Sequence, residues 1–360
     1  MASQVRHPQL DSLRAFSVII VVFVHTMNPK GPVFSSFAPL AVAMFFVLSG
    51  FLITGILFDA RERAEAAGVA RGSVLGKFYA RRFLRIFPIY YAVLGVAVLL
   101  GEQSTRSYLW ELVTYRQNFL LARLGHNVPP ITPLWSLAVE EHFYVVWPLI
   151  VLFASRRYIW VASMVMVVGS LVARSLLWDT NYQLLTMPTY AAVDSIAVGC
   201  MLALLWRGTT TAERKPWLRG ALIVGLTLEA TRQGLSLYPL PHSVPLVRVM
   251  NTLPFGIACV WLIGRGAEER LPAWMSNRWL AKLGLVSYAV YVVHRYVMHF
   301  LGYDYQRGLH VFFPVLAISV LIASVSWIVF EGPINNLKRY FPYVKRSAPA
   351  SAGVPVTAEV

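Results

Sequence analysis

The chain has 360 residues, of which 57% are hydrophobic and 14% are charged, and its mean hydropathy is +0.57. A soluble globule of this size has too small an interior to hide so much apolar surface, so the composition excludes one and predicts a protein that lies in a lipid bilayer. The net charge of +15 is spread over short segments between apolar runs, and this distribution excludes nucleic acid as the expected partner.

Ten apolar segments are long enough to be candidate membrane-spanning helices. In chain order they cover residues 12–28, 36–58, 86–101, 135–154, 158–177, 190–206, 220–237, 247–264, 283–301 and 309–330. The pattern predicts an all-α, polytopic membrane protein with about ten transmembrane helices. Twenty-two of the 32 Lys and Arg residues fall in segments on one side of such a bundle and seven on the other. By the positive-inside rule, both termini are expected in the cytoplasm.

The predicted spans imply one integral-membrane domain over residues 1–346, followed by a cytoplasmic tail. The tail, residues 347–360, is rich in Ala, Pro and Ser and is predicted to be disordered. Because Arg14 interrupts the apolar core of the first span, this span is not expected to be a removable signal peptide. Cys200 and Cys259 lie inside apolar runs and do not indicate a disulfide framework.

An arginine and a histidine lie eleven residues apart in the first span, LDSLRAFSVIIVVFVHT. Eleven helical steps return almost to the starting direction and rise about 16.5 Å, so Arg14 and His25 share one helix face. Arg14 is expected near the inner membrane surface and His25 deep in the span. Because ionisable residues inside a membrane are costly, we predict that this face lines a functional site.

The second and third spans carry residues that allow two interpretations each. In LSGFLIT, Ser49 and Gly50 either permit close packing of helices or, in the case of Ser49, line a cavity. The segment KFYARRFLRIFPIYY puts Arg82 and Arg85 three residues apart on one side of a helix. The pair either serves topology, for which lysine would do as well, or is suited to bidentate binding of phosphates.

Two adjacent carboxylates begin the fourth span, PLWSLAVEEHFYVVWPL. Glu140 and Glu141 are expected about 8 Å below the outer surface, by helical rise from Trp135, and point about 100° apart. Because an unpaired carboxylate is costly in a membrane, they are expected either to form a structural salt bridge or to take part in a site. Trp135 and Trp147 also fit a plain aromatic belt at the membrane interface.

The ninth span, LGLVSYAVYVVHRYVMHFLG, stacks Tyr288, Tyr291 and Arg295 along nearly one helix face, with His294 and His299 nearby. This stripe predicts a wet lumen, although the two tyrosines also fit a core in which they hydrogen-bond each other. The sequence has no HExxH motif and no paired Cys/His spacing, so no metal site is expected.

Six motifs occur in an order that resembles the membrane acyltransferase-three family and cover residues 10 to about 336. They read LDSLRAFSVIIVVFVHT, FFVLSGFLIT, YARRFLRIFP, PLWSLAVEEHFYVVWP, SYAVYVVH and VFEGPINN. The resemblance implies a ten-span enzyme of the bacterial inner membrane that uses a cytoplasmic acyl donor, commonly acetyl-CoA, to O-acylate glycans or related small acceptors. Acyl-CoA is then a co-substrate, and no permanently bound cofactor is expected.

The resemblance also implies which residues matter. By position, the family's essential Arg and His of the first span match Arg14 and His25, and its inner-loop arginine pair matches Arg82 and Arg85. Its WSLxxE element matches Trp135 to Glu141, and its late Phe-Glu pair matches Phe330 and Glu331. At His142 the family often has Gln, which leaves the role of this position open. Many relatives carry an SGNH hydrolase-like domain that has no counterpart in these residues, so transfer is expected to finish within the membrane unit or with a separate partner.

Chemistry gives each predicted residue a role. Because a hydroxyl is scarcely ionised at neutral pH, attack on a thioester needs a base, and His25 is the predicted one. Glu140 or Glu141 is predicted to orient that imidazole or the acceptor. Arg14, Arg82 and Arg85 are predicted to hold the phosphates of the donor. The residues predicted to line the cavity or the acceptor side are Ser49, Trp135, Ser136, Tyr144, Tyr288, Tyr291, His294 and Glu331.

Two alternatives concern the reaction and the class of protein. A covalent acyl-histidine intermediate is the alternative to direct transfer onto a glycan or lipid-linked saccharide. A proton-coupled transporter or flippase of a small solute or lipid-linked sugar is the competing class, because ten spans with intramembrane Arg, His and Glu also fit carriers. The convergence of a base with phosphate-binding arginines, and the lack of a visible internal repeat, favour the enzyme.

Overall fold

The computed structural model describes residues 7–27, 37–237 and 243–344. Within these ranges all regular secondary structure is helical, which confirms the predicted all-α class. Ten helices correspond one by one to the ten predicted spans. They are α1 (Pro8–Met27), α2 (Phe37–Ala66), α3 (Arg71–Leu99), α4 (Trp135–Phe153), α5 (Arg156–Leu176), α6 (Asp194–Trp206), α7 (Thr211–Leu237), α8 (Leu253–Ala267), α9 (Arg278–Phe300) and α10 (Leu309–Ser326). The predicted tail, residues 347–360, and the predicted domain end at residue 346 lie outside the described residues.

Shorter helical segments connect or extend these ten helices. In chain order they are Gln103–Ser107, Leu109–Val113, Gln117–Leu124, Thr132–Leu134, Tyr182–Thr186, Thr189–Ala192, Ser243–Met250, Ala273–Ser276, Trp327–Glu331, Gly332–Asn336 and Leu337–Tyr340. The segment Trp327–Glu331 is a π-helical turn that continues α10. Such turns are rare and occur often at functional sites.

Seven segments of the described residues are long and apolar enough to cross a membrane. They are Pro8–Met27, Phe37–Ala66, Arg71–Leu99, Thr132–Phe153, Arg156–Leu176, Val244–Ala267 and Leu309–Tyr340. Of the other three helices, α6 is apolar but has only 13 residues, whereas α7 and α9 are long but more polar. The chain is therefore a polytopic membrane protein, and the cytoplasmic position of its termini stays a prediction.

The first helix lies inside the bundle, where it packs against α2, α8, α9 and α10. Its crossing with α9 is close, because a β-carbon on Gly284 would collide with the backbone of Asp11. The helix α9 begins where the side chain of Asn277 accepts a hydrogen bond of 2.8 Å from the backbone N–H of Trp279. This packing turns the polar residues of α1 towards the interior of the bundle.

The helices α2 and α6 also cross at backbone contact. A β-carbon on Gly50 would collide with the carbonyl oxygen of Ile196, and one on Gly199 would collide with that of Val47. Small residues at such crossings let helix backbones approach within a membrane. The packing interpretation of this part of the second span therefore holds for Gly50.

We expect Gly50→Ala to destabilise the protein, although alanine favours a helix more than glycine does. The added methyl group has no room, and overpacking of this kind costs about 1–3 kcal/mol. The matched control is Gly169→Ala in α5, where nothing lies within 4 Å of the new β-carbon. Thermal unfolding of the protein in detergent should show a lower midpoint for Gly50→Ala and an equal or higher one for Gly169→Ala; equal midpoints for both variants would contradict the close crossing.

Candidate active site

A cavity of about 730 Å³ lies at the end of the bundle where α1 and α3 begin and α2 and α6 end. We call it the arginine cavity. Its charged lining residues are Asp11, Arg14, Asp59, Arg63, Arg81, Arg82, Arg85, Arg207 and Lys338. Basic residues outnumber acidic ones by seven to two, and Phe51, Phe78 and Trp206 supply aromatic surface. This lining fits a polyanion that also carries an apolar or aromatic portion.

Several other arginines at this end of the bundle cap helices. The guanidinium group of Arg61 donates to the carbonyl oxygen of Ala154 at 2.7 Å, and that of Arg156 donates to Leu204 at 2.6 Å. These bonds satisfy carbonyl groups that have no intrahelical partner at the C-terminal ends of α4 and α6. The charge of Arg61 and Arg156 therefore serves the fold.

Arg82 and Arg14 are held differently. Arg82 has no hydrogen bond or ion pair with any described residue, and its guanidinium group lies over the rings of Tyr144, at 4.8 Å, and Phe78, at 5.7 Å. Arg14 forms an ion pair of 3.0 Å with Asp11, one turn earlier in α1. Both side chains line the arginine cavity and keep N–H donors for a ligand.

Arg85, the second member of the predicted pair, is held more firmly. It donates to the carbonyl oxygen of Leu285 at 3.2 Å, and its guanidinium group lies 5.3 Å from the ring centre of Trp327. Glu331 is buried at the end of the π-helical turn, accepts a hydrogen bond of 3.0 Å from Ser326, and attracts Arg85 electrostatically. The structure thus separates the pair into a loosely held Arg82 and a fixed Arg85.

A hydrogen-bonded cluster joins α2 to α4 next to the arginine cavity. The hydroxyl group of Ser49 donates to the carboxylate of Glu140, and the hydroxyl group of Tyr144 lies 2.9 Å from that of Ser49. Arg82 covers the Tyr144 ring and is the cation that acts on both Glu140 and Glu141. Glu141 makes no hydrogen bond or ion pair within the described part of the chain, so the predicted salt bridge does not form at contact distance.

Two histidines face each other farther along the bundle. The Nδ1 atom of His25 lies 2.8 Å from the Nε2 atom of His294, and the two rings are stacked with an interplanar angle of 7°. The Nδ1 atom of His294 lies 2.7 Å from the carbonyl oxygen of Tyr291. His294 is fully buried, whereas His25 lines a cavity.

These contacts determine where the protons lie. A carbonyl oxygen only accepts, so the Nδ1 atom of a neutral His294 carries the proton and its Nε2 atom must accept. His25 therefore donates its Nδ1 proton to His294, which leaves the Nε2 atom of His25 with a lone pair. An imidazole held in this tautomer is able to receive a proton from a substrate.

The cavity beside His25 has a volume of about 110 Å³, and we call it the histidine pocket. Trp135 and Tyr291 line it together with Tyr182, Asn251 and Thr252 from connecting segments. The pocket shares no lining residue with the arginine cavity. The face of α1 that carries Arg14 and His25 reaches both.

The structure corrects two interpretations of the fourth span. A glutamate is predicted to orient either the His25 imidazole or the acceptor. Glu140 bonds Ser49 and the residue that contacts His25 is His294, so no glutamate orients the imidazole, and the role towards the acceptor stays a prediction. The aromatic-belt interpretation of Trp147 is wrong, because this side chain is 1% exposed and its indole N–H donates to Thr54 at 2.8 Å.

The predicted tyrosines each tie α9 to another segment and do not bond each other. The hydroxyl group of Tyr291 donates to the carbonyl oxygen of Pro133 at 2.7 Å and lies 2.7 Å from the hydroxyl oxygen of Ser136. Tyr288 donates to the carbonyl oxygen of Ile86 at 3.4 Å. Ser136 therefore acts on the site through Tyr291, whose ring forms part of the pocket wall.

His142, the position that departs from the family pattern, lines neither cavity. Its Nδ1 atom lies 2.6 Å from the hydroxyl oxygen of Thr189, and its ring is stacked on Phe119. The contact connects α4 to the short helices before α6. This geometry indicates a structural role for His142.

The site residues that come from connecting segments were not predicted from the sequence. Tyr182, Asn251 and Thr252 in the histidine pocket, and Lys338 in the arginine cavity, lie in or beside short helices. Tyr182 and Lys338 lie outside the predicted spans. Asn251 and Thr252 lie inside the predicted span 247–264, but the structure interrupts the helix at these two residues, which the helical pattern does not indicate. Only the packing of the bundle brings them to the site.

Fold and site together define an integral-membrane protein in which one internal helix connects a basic cavity to a histidine pocket. A protein family described as an acyltransferase domain matches residues 7–330. The chain therefore belongs to the acyltransferase-three family and is an acyltransferase by class.

The chain is also similar to curated bacterial proteins. It is 27% identical over 364 residues to YrhL of Bacillus subtilis (strain 168), which covers 91% of this chain and 55% of that protein. It is 23% identical over 363 residues to the O-acetyltransferase OatA of Staphylococcus aureus (strain NCTC 8325 / PS 47), which covers 91% of this chain and 57% of the relative. The peptidoglycan O-acetyltransferase OatA of Listeria monocytogenes is 30% identical over 228 residues, 55% of this chain and 34% of the relative.

The chain spans little more than half the length of the first two of these relatives. No solved structure matches it significantly.

Proposed function

We propose that this protein transfers an acetyl group from acetyl-CoA, bound in the arginine cavity, to a hydroxyl group of a cell-surface glycan, bound in the histidine pocket. The observation that carries the proposal is the placement of an available imidazole nitrogen on His25 and of Arg14, which keeps N–H donors for a ligand, on one face of α1. Family membership supplies the class of reaction.

The arginine cavity suits the donor in both charge and size. Coenzyme A carries phosphate groups, and guanidinium forks bind phosphates through paired, charge-assisted hydrogen bonds. Arg82 and Arg14 line the cavity and have guanidinium N–H groups available for the phosphates. The cavity volume of about 730 Å³ lies in the range of small-molecule sites. If the positive-inside rule applies, this cavity opens to the cytoplasm, where acetyl-CoA is made.

The transfer itself needs one base. As the acceptor oxygen attacks the thioester carbonyl carbon, its proton moves to the Nε2 atom of His25, and His294 accepts the hydrogen bond from the imidazolium Nδ1–H. When the tetrahedral intermediate collapses, the carbon–sulfur bond breaks and the leaving thiolate takes the proton from His25. The products are an O-acetyl ester and free coenzyme A, and the imidazole returns to its starting tautomer.

The separation of the two cavities fits a donor with a long arm. Eleven residues of α1 separate Arg14 from His25, which corresponds to about 16.5 Å of helical rise. The cluster of Ser49, Glu140 and Tyr144 borders the arginine cavity. We propose that the flexible chain of coenzyme A that carries the thioester passes this cluster and brings the thioester to His25. The glutamates then act along the path of the donor.

The relatives suggest the acceptor. One is named as a peptidoglycan O-acetyltransferase, and peptidoglycan offers many sugar hydroxyl groups outside the cell membrane. We propose a cell-wall or other surface glycan, or its lipid-linked precursor, as the acceptor of this protein, and the bacterial inner membrane as its location.

Purified protein in lipid nanodiscs provides the test. With radiolabelled acetyl-CoA and glycan strands from bacterial cell walls, we expect glycan-bound label that mild base releases, because esters are base-labile. A transporter or flippase would move its solute and form no labelled ester. Binding of acetyl-CoA without any labelled ester on a series of surface glycans would reject the proposed acceptor class, and failure to bind acetyl-CoA would reject the proposed donor.

We expect His294→Phe to lower kcat at least about 10-fold and to leave the KM for acetyl-CoA unchanged, because the residue orients His25 and does not contact the donor. His294→Gln provides a matched comparison, since its amide oxygen is able to accept the Nδ1 proton of His25 and should restore part of the rate. Equal rates for the phenylalanine and glutamine variants would contradict the hydrogen-bonding role.

A further inference from the structure

We propose that Asn251 positions the acceptor, and that the histidine pocket takes an uncharged, hydroxyl-bearing ring. The inference deepens the proposed function and rests on it for the identity of the reaction. The side chains that surround His25 carry the inference, and several of them come from short connecting segments.

The chemistry of the pocket wall is neutral. Among the described residues that line it, none is Asp, Glu, Lys or Arg, and His25 is the only basic side chain. The rings of Trp135, Tyr182 and Tyr291 contribute flat apolar surface, and the remaining polar groups are hydroxyl and amide groups. A wall of aromatic faces and neutral hydrogen-bonding groups suits a sugar ring, whereas a carboxylate or phosphate would lack a cation to replace its water.

Asn251 is a polar residue of this wall whose side chain is available to a ligand. Thr132 already bonds the backbone of Val128, and Thr186 bonds the carbonyl oxygen of Tyr182. The side chain of Asn251 has no hydrogen-bond partner within the described residues, although its amide offers two donors and one acceptor. A sugar hydroxyl both donates and accepts, so the two groups are complementary.

The backbone of Asn251 is in an unusual conformation. Its φ angle is +39°, in the left-handed region that residues other than glycine seldom adopt and that asparagine tolerates better than most. Such conformations persist only where the surrounding structure imposes them, and they cluster at functional sites. The position between the helix Ser243–Met250 and α8 therefore holds the amide in a defined place.

A buried arginine holds the backbone next to Asn251. Arg174, in α5, is fully buried with Asp194, and their ion pair is 2.6 Å long. Its guanidinium group also donates to the carbonyl oxygen of Val249 at 2.6 Å, two residues before Asn251. Ser195, next to Asp194, donates to Thr252 at 3.4 Å, one residue after it. The ion pair thus fixes the chain on both sides of Asn251.

The variant Asn251→Gly removes the side-chain amide without disturbing the backbone, because glycine accepts a positive φ angle as readily as asparagine does. The matched control is Glu269→Gly, a substitution at another residue with positive φ, 55°, which lies on the arginine-cavity side of α8 and outside the histidine pocket. Both variants should keep the thermal midpoint and the acetyl-CoA affinity of the wild-type protein.

The test measures equilibrium binding of two sugars by NMR to the full chain in nanodiscs, without donor. The probes are chitopentaose, which is uncharged, and the pentamer of galacturonic acid, which has a carboxylate on every ring. We expect the wild-type protein and Glu269→Gly to prefer chitopentaose, and Asn251→Gly to bind it about 3- to 10-fold more weakly, as the loss of one neutral hydrogen bond predicts.

Three results would overturn the inference: equal binding of chitopentaose by Asn251→Gly and wild type, equal or tighter binding of the galacturonate, or binding of neither sugar. These outcomes do not depend on the donor. If the wild-type protein binds chitopentaose through Asn251 but does not bind acetyl-CoA, the proposed acetyl transfer fails and the sugar site stands.

Discussion

The variant His25→Ala is expected to lose at least about 100-fold of the acetyl-transfer rate while it still folds and binds acetyl-CoA. The physical reason is that the Nε2 atom of His25 is the proton acceptor, and no other side chain of the histidine pocket is basic enough to replace it among the described residues. The rate is measured as labelled ester formed per minute, and donor binding by calorimetry with a non-hydrolysable acetyl-CoA analogue.

Two variants sharpen this expectation. His25→Asn keeps a donor towards His294 but supplies no base, so it should be as inactive as His25→Ala with a smaller change in packing. His126→Ala removes an exposed histidine outside both cavities and should keep full activity. Arg14→Ala, at the other end of the same helix, should weaken donor binding. Near-normal turnover in a well-folded His25→Asn protein would remove His25 from the mechanism.

Replacing Arg82 with lysine is expected to weaken acetyl-CoA binding about 10- to 100-fold. Lysine keeps the positive charge, and with it any topogenic signal, but it loses the planar fork that binds a phosphate with two parallel hydrogen bonds. A charge-assisted hydrogen bond contributes about 1.5–3 kcal/mol, which corresponds to this range of affinity. Direct calorimetry of the donor analogue measures the effect without interference from the acceptor.

The matched control for Arg82→Lys is Arg71→Lys. Arg71 lies outside the arginine cavity, where it pairs with Glu65 at 2.6 Å and donates to the carbonyl oxygen of Leu152 at 3.1 Å. Its replacement should leave the donor affinity unchanged. Equal affinities for wild type and Arg82→Lys would reduce Arg82 to a topological charge and would assign donor binding to the other arginines of the cavity.

The structure decides between interpretations that the sequence left open, and it does so side chain by side chain. Ser49 and Gly50 are neighbours in one motif, yet Gly50 packs against the α6 backbone while Ser49 bonds Glu140. Arg82 and Arg85 have the same chemistry and lie three residues apart in α3, but of the two only Arg85 bonds a carbonyl oxygen of the described residues. Such differences depend on which residues of the neighbouring helix contact each side chain. A sequence motif in one helix does not indicate those residues.

The membrane class, the ten helical segments and the common face of Arg14 and His25 were all predictable from the sequence. These properties are local, because apolar length and the helical period depend on residues within one segment. The family relation follows from the same local motifs.

Tertiary structure alone decided which residues meet at the site. His25 and His294 are 269 positions apart, and their contact exists because Gly284 lets α9 approach α1. Asn251 reaches the same pocket from a connecting segment that Arg174 holds in place. Such contacts arise from the packing of whole helices, whose partners are distant in sequence, so periodicity predicts the face that a residue occupies but not the neighbour that it meets.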